Sequence, residues 1–218
     1  MFKILRHPLA PLYTAADYLK AMGEALAILF VVVWTVTYIS RPKYHGEFIV
    51  DVNPLKDRIG YNNLCVGFDT APAVYFAQFC WPYVSYLGVR FAWVDVQRCT
   101  LLKQHKEMSV CRFTVTILLD FLYVASVAGF GLVFVISPIA SDDRPFNGVW
   151  MHSIFFMQYI VMRFAVVYMQ FSNYRGPGEP ASSGVSTLSW AFLCVYGVVS
   201  VAYTALLVVN YLHYDREW

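Results

Sequence analysis

The stretch FTVTILLDFLYVASVAGFGLVFVI, from Phe113 to Ile136, decides the fold class of this chain. It contains a single charged residue, Asp120, and it is longer than the roughly 20 residues that a helix needs to cross the apolar core of a bilayer. Its apolar and polar residues do not alternate, as they would in a strand of a membrane barrel. The stretch therefore predicts a membrane-spanning α-helix.

Four further stretches have the same character, and the whole composition agrees with them. The chain has 218 residues, of which 59% are hydrophobic and 14% are charged, whereas soluble domains carry about 25% charged residues. The formal net charge of +2 offers no basic surface to nucleic acid. We therefore predict an all-α, polytopic integral membrane protein, a bundle of about five transmembrane helices that forms a single domain over residues 1–218. The predicted spans cover residues 21–40, 71–94, 113–137, 149–171 and 186–212, and residues 41–70 form the longest loop outside the membrane.

The start of the first helix has its own signal. Thr14 and Asp17 have the spacing of a capping box, in which each residue caps the backbone of the other. This spacing predicts that the first helix begins before its apolar stretch, with a short N-terminal part at the membrane interface.

Because five is an odd number, we expect the two termini on opposite sides of the membrane, the N-terminus on side A and the C-terminus on side B. Side A collects more Lys and Arg than side B, and positive charge marks the cytoplasmic or matrix side. We therefore expect the N-terminus on the matrix or cytoplasmic side. The side-A charges are Lys3, Arg6, Lys20, Arg98, Lys103, Lys106, Arg112 and Arg175, and the side-B charges are Arg41, Lys43, Lys56, Arg58, Arg144 and Arg216.

Two charged residues inside predicted spans are the first candidates for a site, because an ionisable group in the bilayer is costly without a partner. Asp120 lies about eight residues, or about 12 Å, from the side-A end of the third span, and Arg163 lies at the same depth in the fourth span. We expect an ion pair between Asp120 and Arg163. The pair would fix the register of two helices, or alternatively it would contact a substrate, a lipid headgroup or a proton.

Three more charged residues lie toward side A, namely Glu24, Arg90 and Asp95. They are expected to widen the ion pair into a polar cluster, or alternatively to extend their charged ends to the interface.

Neither a metal nor another cofactor is expected, but bound structural phospholipids are. Of the histidines, only His152 is expected inside a span, near His45 and His213 on side B, where a metal or quinone contact is the weaker alternative. The motifs of zinc proteases, P-loop proteins, serine hydrolases and dinucleotide-binding enzymes are absent from the sequence. The sequence thus favours a chain without catalytic activity of its own.

Three functions stay open at this point. The first is a non-catalytic structural or accessory subunit of a large complex, a respiratory-chain or ATP synthase assembly of the mitochondrial inner membrane, with other subunits and lipids as partners. The N-terminal segment through Ala16 carries basic residues and no acid, which fits a mitochondrial address and equally a cytoplasmic tail. The second is a small carrier or channel that uses Asp120 and Arg163. The third is a lipid-modifying membrane enzyme built around His152.

Overall fold

The computed structural model describes residues 14–53, 56–57, 60, 62, 64–135, 149–173 and 187–214. This part of the chain is mostly helical, which confirms the predicted helical class, and it contains five α-helices. They are α1 (Ala15–Ser40), α2 (Ala73–Gln104), α3 (Val110–Phe130), α4 (Val149–Asn173) and α5 (Thr187–Tyr214). A small hairpin, β1 (Lys43–Tyr44) with β2 (Glu47–Phe48), and two 3-10 turns, Leu64–Phe68 and Gly131–Phe134, complete the described elements.

Three of the helical segments are long and apolar enough to cross a membrane, judged by length and composition alone. They are Ala15–Ser40, Val110–Phe134 and His152–Ser172. They support an integral membrane location. α2 runs well beyond residue 94, where the second predicted span ends, because its helical pattern continues through polar residues up to Gln104.

The capping box at the start of α1 is confirmed. The backbone N–H of Thr14 donates to Asp17 Oδ2 at 2.8 Å, and the backbone N–H of Asp17 donates to Thr14 Oγ1 at 3.3 Å. These two bonds satisfy N–H groups that the first turn of a helix otherwise leaves without partners. α1 therefore begins at Ala15, ahead of the predicted apolar span.

Helices that follow one another in the chain pack against one another, from α1 on α2 to α4 on α5. The core between α2 and α3 is aromatic. Trp81 stacks on Phe130 with ring centroids 4.6 Å apart, and its indole N–H donates to the Val127 carbonyl at 3.2 Å. Phe91 and Tyr123 meet edge to face, with centroids 5.8 Å apart. These contacts fix the register of α2 and α3, on which the charged residues described below depend.

The segment between α1 and α2 folds back onto the bundle. His45 and Gly46 have positive φ angles of 49° and 90°, the backbone that a two-residue hairpin turn requires. Further along, Phe68 packs on Phe30 of α1 with ring centroids 4.7 Å apart. This docking brings Asp69 against the first turn of α4.

Large apolar side chains cover the outside of the bundle. Phe79 is 84% exposed, Phe121 is 75% exposed and Val135 is 74% exposed. Large apolar side chains exposed in this number mark a surface that contacts a membrane or another protein. The outer surface therefore agrees with the membrane location that the helices support.

Candidate functional site

Arg163 of α4 is held by groups from three helices. Its Nη1 donates to the hydroxyl of Tyr123 on α3 at 3.1 Å and lies 3.5 Å from the hydroxyl of Tyr159, one turn earlier on α4. Its Nη2 lies 3.4 Å from the carbonyl oxygen of Leu19 on α1. Gly23 leaves room for the guanidinium, because a Cβ there would lie 2.8 Å from Nη2. Arg163 therefore ties α1, α3 and α4 together through uncharged acceptors.

A second group of polar side chains lies between α2 and α3, and we call it the carboxyl cluster: Asp95, Arg98, Cys99 and Asp120. Asp95 is 0% exposed and Asp120 is 2% exposed, and their carboxyl groups lie within hydrogen-bonding range of one another. Arg98 Nη2 is 2.7 Å from Asp95 Oδ1. The Cys99 thiol donates to Asp95 Oδ2 over 3.9 Å. The cluster thus places two acids and one guanidinium in a buried interface.

In the described part of the chain, Asp120 and Arg163 do not form the expected ion pair with each other, because each has other partners. Asp120 has Asp95 and Arg98 as its charged neighbours, whereas Arg163 is bonded to Tyr123. Asp120 faces α2, whereas Arg163 reaches toward α1. Depth along a helix follows from counting residues, whereas the direction of a side chain depends on how the helix is rotated about its axis.

The three side-A residues are not brought together either. Glu24 lies on the exposed face of α1, where its carboxylate is 3.8 Å from the Lys20 ammonium. Arg90 donates to the Tyr18 hydroxyl at 3.2 Å, with its guanidinium carbon 5.5 Å from the centre of that ring. Asp95 alone joins the carboxyl cluster. The alternative that Glu24 extends its charged end to the membrane interface stays a prediction.

A buried pair that the sequence did not predict lies at the start of α4. His152 Nδ1 is 3.6 Å from Asp69 Oδ1, and both side chains are almost inaccessible. Burial raises the pKa of Asp69 well above its usual range. The sequence placed His152 near side B but gave it no partner, because Asp69 is distant in the chain. The one available signal was an acid directly before the second predicted span.

Among the described residues, no three His, Cys, Asp or Glu side chains meet as a metal ion would require. His45 lies in the hairpin turn, and the side chain of His213 lies outside the described residues, as do Lys3 and Arg6. The expectation that no cofactor is bound stays a prediction.

The buried polar groups of the bundle can form hydrogen bonds between helices and can bind protons. Arg163 has several acceptors and acts as a link between helices, whereas the carboxyl cluster contains more acidic groups than cations. An excess of buried acid is a setting for proton binding.

No protein-family model, no curated protein and no solved structure matches this chain. The function is therefore inferred from the residues and their geometry.

Proposed function

We propose that this chain is a non-catalytic, multispan subunit of a larger membrane protein complex in the mitochondrial inner membrane, an assembly of the respiratory-chain or ATP synthase kind. In this proposal all five helices cross the membrane, with the N-terminus on the matrix side and the C-terminus on the opposite side. The partners are other subunits and phospholipids that fill the grooves between them.

The observation that carries the proposal is an aromatic stripe on the outer face of α2. Its members are Tyr75, Phe79, Tyr83, Tyr86 and Trp93, all of them exposed. They recur every three to seven residues and so lie on one side of the helix. Lipid tails offer no acceptor to a tyrosine hydroxyl, whereas a neighbouring protein does. A stripe with tyrosines in the middle of a helix therefore favours a partner subunit over lipid alone.

The position of α5 supports the same proposal. Among the described residues, α5 has its main helix contacts with α4, where Gly197 meets Phe164 and where the Trp190 and Phe171 rings lie 5.5 Å apart. Since lipid gives no hydrophobic drive for helix association, further protein contacts would hold such a helix in place. The large exposed side chains among the described residues of α5 are Phe192, Val195, Tyr196, Val198, Val199, Val201, Leu206 and Val209.

Charge supports the proposed orientation. The end of α2, the turn that follows it and the start of α3 carry the exposed cations Lys103, Lys106 and Arg112, at the same end of the bundle as the start of α1. Basic residues are retained on the matrix or cytoplasmic side of a membrane.

Site-specific photo-crosslinking in native membranes tests the proposal. A photoreactive residue at Tyr83 or Tyr86 should give adducts to a second protein, which mass spectrometry then identifies. Val84 is the matched control, because it lies beside Tyr83 on the same helix but is 1% exposed, and it should give crosslinks within the chain. Adducts to lipid alone at Tyr83 and Tyr86, with migration of the gently solubilised protein as a free monomer, would contradict the proposal.

The location is tested separately by expressing a tagged chain and fractionating the cells. We expect the tag in mitochondria, and we expect a C-terminal tag to become protease-sensitive when the outer membrane is ruptured. Enrichment of the chain in another membrane would refute the mitochondrial location. The proposal that the chain is a subunit of a complex would then still be tested by the crosslinking experiment.

A further inference from the structure

We propose that Asp95 and Asp120 form a binding site for one exchangeable proton, held between their carboxyl groups inside the bundle. This inference stands on the geometry of the carboxyl cluster and does not depend on the proposed function.

The first support is the contact between the two acids. Both side chains are almost inaccessible, at 0% and 2% exposure, and their carboxyl groups are within hydrogen-bonding range. Two ionised carboxylates have no hydrogen to share and repel each other strongly in an interior of low polarity. One proton converts this repulsion into a hydrogen bond, as in other sites where two carboxyl groups share a proton.

The second support is the balance of charge. Arg98 supplies one positive charge, with its Nη2 2.7 Å from Asp95 Oδ1, against two acids. With both acids ionised the cluster carries one net negative charge away from water, which is costly. Binding one proton makes the cluster neutral. Asp120 Oδ2 is buried without a hydrogen-bond partner among the described residues, so an ionised Asp120 would be poorly stabilised.

Within the part of the chain that the structure describes, the charged and titratable groups around the site do not supply the missing positive charge. Arg90 of α2 is engaged with Tyr18 of α1, and Arg163 of α4 is directed at tyrosine hydroxyls. The charged groups that act on Asp120 are Asp95 and Arg98 of α2, and Cys99 lies beside both acids. A proton is therefore the available source of neutrality.

The geometry favours a proton over a metal cation. Calcium takes about six to eight oxygen ligands, whereas the cluster presents four carboxylate oxygens and places a guanidinium 2.7 Å from one of them. That guanidinium would repel a metal cation at the same place. A proton needs no such shell of ligands.

Arg98 also offers a route for exchange. Its side chain is 26% exposed while it contacts the fully buried Asp95. It lies in the last turns of α2, close to the basic turn before α3, so it connects the cluster with water at that end of the bundle.

Dicyclohexylcarbodiimide provides the test, because this apolar reagent reacts with protonated carboxyl groups inside membranes. The O–H of the acid adds across a C=N bond of the reagent, and the adduct rearranges to a stable acylurea that peptide mass spectrometry can locate. In the wild-type chain in liposomes at neutral pH, we expect one label on Asp95 or Asp120, decreasing as the pH rises. If neither Asp95 nor Asp120 is labelled, the proposal is overturned.

The variants Asp95→Asn and Asp120→Asn distinguish a shared proton from two independent acids. Removing either acid leaves one carboxylate neutralised by Arg98, so labelling of the remaining acid should fall about tenfold or more, since sharing a site changes proton affinity by at least that factor. Undiminished labelling of the remaining acid would refute the shared site. Glu24→Gln is the control on an exposed carboxyl group and should leave the label unchanged.

Two further measurements keep the proposal testable if an Asn variant fails to fold. Infrared difference spectra of the wild-type chain should show a protonated carboxyl band at neutral pH that disappears at high pH, and a spectrum without that band would contradict the proposal. At constant pH, the extent of carbodiimide labelling of the two acids should be the same in sodium chloride as in choline chloride. Protection by sodium would show a cation site in place of the proton site.

Discussion

Tyr123 and Tyr159 offer two hydroxyl groups to the same guanidinium at different distances, and this difference yields a prediction. Arg163 Nη1 is 3.1 Å from the Tyr123 hydroxyl and 3.5 Å from the Tyr159 hydroxyl. Tyr123 also lies 3.0 Å from Met22 Sδ, to which its hydroxyl donates. The Tyr123 and Tyr159 hydroxyls also hydrogen-bond to each other. The substitution Tyr123→Phe removes all three contacts of its hydroxyl, whereas Tyr159→Phe removes the long contact with Arg163 and the contact between the two hydroxyls.

The expected magnitudes follow from these distances. A hydrogen bond to a charged group contributes about 1.5–3 kcal/mol in soluble proteins, and interhelical hydrogen bonds in membranes contribute about 0.6 kcal/mol on average and at most about 1.7. For Tyr123→Phe, with a short charged bond and a second contact, we expect a loss of about 1–2 kcal/mol in the free energy of unfolding. For Tyr159→Phe we expect a smaller loss of about 0.6 kcal/mol, because its distance to Arg163 is beyond the usual N–H···O range of about 2.7–3.2 Å and its other hydroxyl partner, Tyr123, is uncharged.

Reversible unfolding in lipid bicelles measures both variants, with Tyr83→Phe on the outer face of α2 as the control that should change little. A double-mutant cycle with Arg163→Met isolates the pair. In the Arg163→Met background, the cost of Tyr123→Phe should shrink to the part owed to Met22 and Tyr159. Equal costs for Tyr123→Phe and Tyr159→Phe, or a cost of Tyr123→Phe that does not depend on Arg163, would refute the assignment of Arg163 as a link between helices.

Three further predictions concern other parts of the bundle. Gly197→Leu should weaken the contact between α4 and α5, because a Cβ there would lie 2.6 Å from the Phe164 ring. We expect a loss of about 1–3 kcal/mol in the free energy of unfolding. The control Val198→Leu, at an exposed neighbouring position, should cost little. Because the pKa of Asp69 is raised, the folded state keeps the proton on the Asp69 carboxyl group to higher pH than the unfolded chain does. The protonated carboxyl group therefore contributes its full stability below the ordinary carboxyl pKa of about 4, and this contribution is lost as the pH rises toward the pKa of Asp69 in the folded state. The difference in stability between the wild type and Asp69→Asn should therefore move in favour of the variant with increasing pH, and a difference independent of pH would contradict it. Cys99 is 0% exposed, so maleimide should modify the exposed Cys111 at least about tenfold faster, in line with the dependence of thiol reactivity on exposure, and equal rates would show that α2 and α3 separate at this end.

The positions of the helices could be predicted because their signals are local. An apolar run such as Phe113–Ile136 predicts a helix by its own length and composition, and the capping box of Thr14 and Asp17 acts within one turn. The docking of the loop before α2 could not be predicted in the same way. It depends on Phe68 meeting Phe30, a contact between residues far apart in the chain.

The candidate site shows the same limit. Asp120 and Arg163 were correctly singled out as charged residues within apolar helices, but their partners were not identified. Moving one residue along a helix turns the side chain by about 100° while changing depth by only about 1.5 Å. Counting residues therefore estimates depth well and says little about which neighbour a side chain faces.

The sequence by itself determined that the chain is helical, that apolar helices support a membrane location, and which few ionisable residues lie within them, because these properties depend on composition over one or a few turns. Only the tertiary structure decided that Asp120 meets Asp95 and that Arg163 meets Tyr123. Those contacts depend on how each helix is rotated against its neighbours, and that rotation is set by the packing of side chains such as Trp81 on Phe130, which belongs to the assembled bundle and to no single helix.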